Sequence, residues 1–187
     1  MHYRKPVTDL QVTIYHALGG HSDTERLLRA AAGRWLGLDP AGLAMARTEA
    51  GKPFFPGWPG LHASVTHSGG RWLCALGESP LGLDLERTRP IDGARLARRF
   101  FHPEEAAWLE ARPGDFFRLW TAKEALVKRA GTGLAGHMRD LSLVENGALT
   151  LRPGGLYLTY PPFEEGFTLC LCTEAPPALT WAALEAE

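Results

Sequence analysis

Leu81-Gly82-Leu83-Asp84-Leu85-Glu86 alternates leucine with other residues, the period of a strand with one buried face. Residues two apart on a strand share a face. Asp84 and Glu86 therefore project together, while Leu83 and Leu85 fill the opposite side. Neighbouring carboxylates repel unless water, a proton, a basic partner or a cation neutralises them. A hard divalent cation such as Mg²⁺ takes carboxylate oxygens together with substrate phosphates. An amphipathic edge strand with a wet acidic face satisfies the same letters.

Downstream runs Phe117-Arg118-Leu119-Trp120-Thr121-Ala122-Lys123-Glu124-Ala125-Leu126-Val127-Lys128. Helical spacing sets Trp120, Glu124 and Lys128 on one stripe. Glu followed four later by Lys is also an ordinary surface pair, but a Trp on that stripe calls for burial. Upstream, Ser64-Val65-Thr66-His67-Ser68 alternates Ser64 and Thr66 against Val65 and His67 beside a Gly turn. Hydroxyls and an imidazole there suit a phosphate, and a lone histidine equally suits a structural role. There is no G-x-S-x-G elbow for acyl transfer.

The rest of the chain supplies an α+β frame. Leu10, Val12 and Ile14 alternate as a strand. Ser22 with Glu25 reads as a capping box starting a helix, with Leu28, Ala31 and Trp35 as its apolar face and Gly37 as its stop. Residues 39–61 are rich in Pro and Gly and read as loop with short strands. Residues 62–67 and 71–77 form a hairpin over Ser68-Gly69-Gly70. Helices are expected over 92–99, from Pro103, and from Asp115 to Ala130 with a stop at Gly131. Asn146-Gly147 marks a second hairpin, and FTLCLCT and TWAALE read as further strands. This order predicts two α+β lobes, 1–88 and 89–187, with the active site between them and a seam near 87–92. No repeat relates the halves.

With 187 residues and 20.5 kDa, one compact unit is expected. A net charge of −1 argues against a nucleic-acid binder. No apolar run is long enough to cross a membrane, and no secretory signal is apparent; a cytoplasmic monomer is the expectation. Cys74, Cys170 and Cys172 show no C-x-x-C spacing, and Cys170 and Cys172 read as core on one strand face.

Taken in order, Gly51-Lys52-Pro53, Thr66-His67-Ser68, Gly82-Leu83-Asp84-Leu85-Glu86, the Trp120–Lys128 run and Gly131-Thr132-Gly133-Leu134 resemble the 4′-phosphopantetheinyl transferase superfamily, in particular its larger single-chain, two-lobed branch, the surfactin-synthetase-activating type. Arg98-Arg99-Phe100-Phe101-His102-Pro103-Glu104 resembles the family's connecting segment. The resemblance covers about residues 22–140 and implies two pseudosymmetric lobes, each a small, mostly antiparallel sheet packed with helices. It implies Mg²⁺-dependent transfer of the phosphopantetheine arm of coenzyme A to a serine of an apo acyl or peptidyl carrier protein, with release of adenosine 3′,5′-bisphosphate. It assigns Asp84, Glu86 and Glu124 to the metal. Lys123 and Lys128 fall to the coenzyme phosphates, Thr66 and His67 to the pyrophosphate or 3′-phosphate, and Lys52 to the adenine end. Ser64 and Thr66 replace the family's asparagine and serine. Ahead of Ser22, Arg4 and Lys5 are the only Lys or Arg residues, so Arg26 and Arg29 are expected to substitute for missing basic groups.

Catalysis is expected from Glu104, Glu124 and Lys128. Glu104, Glu105 and Glu124 are candidate bases, with Glu104 preferred over a mere capping role. Arg95, Arg98 and Arg99 offer a basic helix face for an acidic carrier. A Mg²⁺-dependent phosphohydrolase and a non-catalytic coenzyme A or carrier-binding module are the alternatives.

Overall fold

A computed structural model describes residues 9–133 and 138–184. Arg4, Lys5 and Leu134 of the motifs above, and Glu185 at the end of the TWAALE run, lie outside them. Among the described residues the chain is α+β. The first sheet runs β11-β1-β5-β4-β3-β2. Its strands are β1 (Leu10–Leu18), β2 (Ala46–Arg47), β3 (Pro53–Phe54), β4 (His62–Ser68), β5 (Arg71–Gly77) and β11 (Pro177–Ala183). The second sheet runs β6-β10-β9, from β6 (Gly82–Arg87), β9 (Tyr157–Thr159) and β10 (Phe167–Thr173). Helices are α1 (Thr24–Leu36), α2 (Gly93–Phe100), α3 (Pro103–Glu110) and α4 (Phe116–Ala130), and β7 (Val144–Glu145) with β8 (Ala148–Leu149) forms the hairpin over Asn146-Gly147.

Period-two alternation builds the layers. On β5, Trp72, Cys74 and Leu76 face α1, where they bury Leu27, Leu28, Ala31 and Ala32. Leu73 and Ala75 face the other way and pack with Ile14 against Leu83, Leu85, Leu169 and Leu171 of the second sheet. That sheet's far side carries Cys170 and Cys172 against Leu119, Ala122 and Ala125 of α4. The order is helix, sheet, sheet, helix. Leu83 and Leu85 are 0% and 1% exposed, so Leu→Ala at either would cost about 2–5 kcal/mol. The β4–β5 turn places Gly69 and Gly70 at φ +57° and +76°, which fits a two-residue hairpin turn with both residues left-handed.

One sequence expectation changes. Ser22 does not cap α1: the chain makes a 3₁₀ turn over His21–Asp23 and the α-helix begins at Thr24. Asp23 Oδ2 accepts from the Gly20 N–H at 3.0 Å, and a charged acceptor makes a stronger bond than a hydroxyl. The strand pairing crosses the 88/89 division. β6 pairs with β10, and β11 returns to pair in parallel with β1.

Candidate active site

Gly82 explains how α4 meets β6. A Cβ there would lie 1.9 Å from the Ala125 carbonyl oxygen and 2.5 Å from the Arg129 nitrogen, so only glycine permits this approach. The i,i+4 stripe of α4 then faces the carboxylates of β6. Lys128 Nζ donates to Asp84 Oδ1 at 2.6 Å and to the Leu83 carbonyl at 3.2 Å. Asp84 is 5% exposed, and its Oδ2 is buried with no hydrogen-bond partner. Burial raises the Asp84 pKa, Glu86 adds to the rise, and Lys128 opposes it. Burial likewise pushes Glu124 up to about 7, with Asp84 and Glu86 adding repulsion and Lys128 opposing. Glu86 is half-buried and accepts from Arg89 Nη1 at 2.7 Å.

The two sheets meet through side chains at this edge. Ser64, Thr66 and Ser68 of β4 accept through their hydroxyl oxygens from the N–H groups of Leu83, Leu85 and Arg87, at 2.9, 3.0 and 3.0 Å. These hydroxyls stand where a neighbouring strand's carbonyls would otherwise be. Thr66 also donates to Asp84 Oδ1, and Ser68 to Glu86 Oε2, both at 3.3 Å.

A cleft of about 270 Å³ opens over this seam, lined by His21, Arg47, Lys52, His67, Glu124 and Lys128 among others. His21 and His67 meet edge to face, 5.5 Å apart. Burial lowers the His67 pKa, with His21 and Lys128 adding repulsion.

Several expected site residues are placed elsewhere or differently. Lys123 does not face the cleft. It is 3% exposed and donates to both oxygens of Glu105, at 2.8 and 2.7 Å, and to the Leu141 carbonyl at 2.6 Å. Five residues along a helix turn the side chain by ~140°, which separates Lys123 from Lys128. Glu104 has a side chain 68% exposed, near His102, and is not among the cleft residues. The capping role falls to Glu105, whose Oε2 accepts from the His102 N–H at 3.0 Å.

On the first lobe, Arg26 is half exposed, close to Asp23, and off the cleft lining. Arg29 is spent on the Leu43 carbonyl and on Glu25. Lys52 lines the cleft, but its Nζ donates to the carbonyls of Leu81, Lys128 and Arg129 at 3.2, 2.7 and 3.1 Å. It thereby caps the end of α4, and burial pushes its pKa down to about 8. Thr66 is buried with its hydroxyl committed to Leu85 and Asp84, so that hydroxyl does not line the cleft.

Among the described residues no three His, Cys, Asp or Glu side chains are arranged to hold a metal as they stand, and Lys128 occupies Asp84 Oδ1. The residues nonetheless fit a divalent cation. The buried Asp84 Oδ2 has no partner, and Glu86 raises the proton affinity of Asp84, as both raise that of Glu124, around a single lysine. Sequence reasoning missed His21, Arg47 and Arg89, and it read Glu105 as a candidate base, not as the capping and ion-pair residue it is. Glu105 was legible as the residue three after His102, the spacing of a capping box; the other three carry no local signal.

Residues 80–179 match the model of the 4′-phosphopantetheinyl transferase superfamily, a span from just before β6 into β11. A 4′-phosphopantetheinyl transferase of Bacillus subtilis is 36% identical over 179 residues, covering 87% of this chain and 78% of the relative. The 4′-phosphopantetheinyl transferase Sfp of Bacillus subtilis strain 168 is 30% identical over 176 residues, with the same 87% and 78% coverage. The 4′-phosphopantetheinyl transferase gsp of Aneurinibacillus migulanus is 33% identical over 161 residues, covering 80% and 66%. Identity at this level over most of both chains, together with a family model that spans the acidic strand and α4, settles the assignment: the chain belongs to the 4′-phosphopantetheinyl transferase superfamily and is an enzyme of phosphopantetheinyl transfer to carrier proteins.

Proposed function

We propose that the cleft binds coenzyme A with its pyrophosphate at the Asp84–Glu86–Glu124 edge, and that a serine hydroxyl of an apo acyl or peptidyl carrier protein attacks the β-phosphoryl group there. A new P–O bond forms to the serine, the bond to the adenosine side breaks, and adenosine 3′,5′-bisphosphate leaves. The observation that carries the reading is Asp84 Oδ2, buried with no partner on the carboxylate held by Lys128, itself a cleft residue. Asp84, Glu86 and Glu124 would hold Mg²⁺, which would supply positive charge to the reacting phosphates.

The chain's own groups do the rest. Lys128, on Asp84 in the free protein, is the ammonium placed to meet phosphate oxygens. His67 and His21 line the same wall and would orient the coenzyme. The serine proton goes to a carboxylate, and of the three candidate bases Glu124 is the one that lines the cleft. Glu104, exposed on α3, is not assigned that role.

Arg95, Arg98 and Arg99 are exposed on α2 and are proposed to meet an acidic carrier. Charge reversal at Arg95 and Arg98 should slow association and weaken its salt dependence, with coenzyme affinity unchanged by calorimetry. Among the described residues no helix is long and apolar enough to cross a membrane; the three cysteines are free and buried, which fits the proposed reducing cytoplasm, and a monomer is proposed.

The direct test is incubation with coenzyme A, Mg²⁺ and a panel of apo carrier proteins, read by intact mass. Carrier that gains the phosphopantetheine mass only with Mg²⁺ is expected. Coenzyme cleaved without mass gain would overturn the reading.

A further inference from the structure

The three β4 hydroxyls share one register. Ser64, Thr66 and Ser68 each accept from the amide 19 residues on, namely Leu83, Leu85 and Arg87. Thr66 and Ser68 each also reach the carboxylate 18 residues on, Asp84 and Glu86. A hydroxyl has one proton and two lone pairs. Once an amide occupies a lone pair, the proton must find another acceptor, and the residue before that amide supplies it. For Ser64 the preceding residue is Gly82, so that rung has no carboxylate.

The outcome is the same at both acidic residues. Asp84 Oδ1 takes Thr66 and Lys128, and Oδ2 is left bare. Glu86 Oε2 takes Ser68 and Arg89, so the hydrogen bonds described for Glu86 all end on one oxygen. Each carboxylate is tied down by one oxygen and offers the other. Single oxygens from one or two carboxylates, beside waters and phosphates, are what Mg²⁺ prefers.

We propose that Thr66 and Ser68 are positioning residues that fix Asp84 and Glu86 so that each presents one free oxygen to the cation. This rests on the coordination proposed above. It also assigns the hydroxyl of Thr66 to the protein rather than to a coenzyme phosphate.

The test uses the full chain and Mn²⁺ alone, with free ion read by electron paramagnetic resonance and folding read by thermal melting. Thr66→Val and Ser68→Ala should weaken Mn²⁺ about 10- to 100-fold, and Thr66→Ser should restore affinity. Ser64→Ala removes the same kind of amide bond without touching a carboxylate. It should lower the melting temperature as the others do and leave Mn²⁺ affinity at the wild-type value. Equal loss of affinity in all three alanine or valine variants, in step with their melting temperatures, would show that the ladder only holds strands together. If Thr66→Val does not fold, the contrast between Ser68→Ala and Ser64→Ala decides. Asp84→Asn separates the two readings. Loss of Mn²⁺ there with normal binding in Thr66→Val and Ser68→Ala overturns the positioning role alone, and normal binding in Asp84→Asn overturns the coordination and this inference together.

Discussion

Helix α4 carries two lysines, five residues apart, each paired with a buried carboxylate, and the pairs behave oppositely. Lys123 and Glu105 are 3% and 0% exposed. Glu105 accepts from Lys123, from the Leu143 N–H at 2.7 Å and from the His102 N–H at 3.0 Å. Every oxygen is used, and the pair stitches α3, α4 and the segment after it together. Lys128 and Asp84 use one carboxylate oxygen and leave the other bare, and Lys128 keeps 29% of its side chain exposed. The first pair is closed and structural; the second is open, as the proposed cation and phosphate sites require. The ion pair alone does not separate the two. The unfilled valence does.

Breaking one member of each pair sharpens that contrast most. Glu105→Ala leaves the Lys123 charge buried and should cost about 3–5 kcal/mol of stability, read by denaturant unfolding. If that variant does not fold, Glu105→Gln should show a smaller loss in the same direction. Asp84→Ala should cut transfer by at least ~10²-fold while the metal-free protein melts at or above the wild-type temperature. An Asp84→Ala protein that unfolds like Glu105→Ala would erase the distinction.

Next in size is the open pair's reach into the cleft. Lys128→Ala and His67→Ala should each weaken coenzyme A binding about 10- to 150-fold, the worth of a charged hydrogen bond of roughly 1.5–3 kcal/mol. Calorimetry checks this. Unchanged affinity in both would remove the phosphates from this wall.

A smaller effect concerns pH. Glu124 rises from 4.5 to about 7 on folding, so between those values the native state holds a proton that the unfolded chain releases. Stability of the metal-free protein from this group is therefore full below about 4.5 and is lost as pH rises through about 7. Melting without metal should fall over that window, and Glu124→Gln should flatten the fall. A metal-free melting temperature that rises across the window because of Glu124 would show the burial assignment to be wrong. The smallest effect is expected at Glu104, which is exposed and off the cleft. Glu104→Gln should leave turnover and its pH profile close to wild type, and a loss of ~10²-fold or more would return the base to α3.

What the sequence made legible had local causes. Asp84 and Glu86 share a face because a strand repeats every two residues, and Glu124 and Lys128 share a stripe because a helix repeats every 3.6. The hairpin at Gly69-Gly70, the stops at Gly37 and Gly131 and the core placement of Cys170 and Cys172 follow from equally short-range rules. What failed depended on distant partners. Lys123 looked like a phosphate ligand because its mate, Glu105, lies on another helix, and Lys52 looked free to hold the adenine end because its three carbonyls belong to β6's approach and the end of α4. The alternation of Ser64, Thr66 and Ser68 was visible, but the strand that would receive them was not. His21 and Arg47 reach the cleft from a turn and a loop, where no period constrains direction. Ser22 lost its capping role to a neighbour one residue on, finer than pattern reading resolves.

The parallel pairing of β1 with β11 bears on how the protein is made. Leu10 sits opposite Pro177 and His16 opposite Ala183, so one side of β1 waits until nearly the whole described chain has been synthesised. Strands β1, β4 and β5 can zip together early, but they do so with a raw edge. Contacts this remote in sequence slow folding, and during that interval the nascent first lobe is open to pairing with another chain. Growth conditions that lengthen the interval, such as slow translation of the second half, should favour inclusion bodies over enzyme.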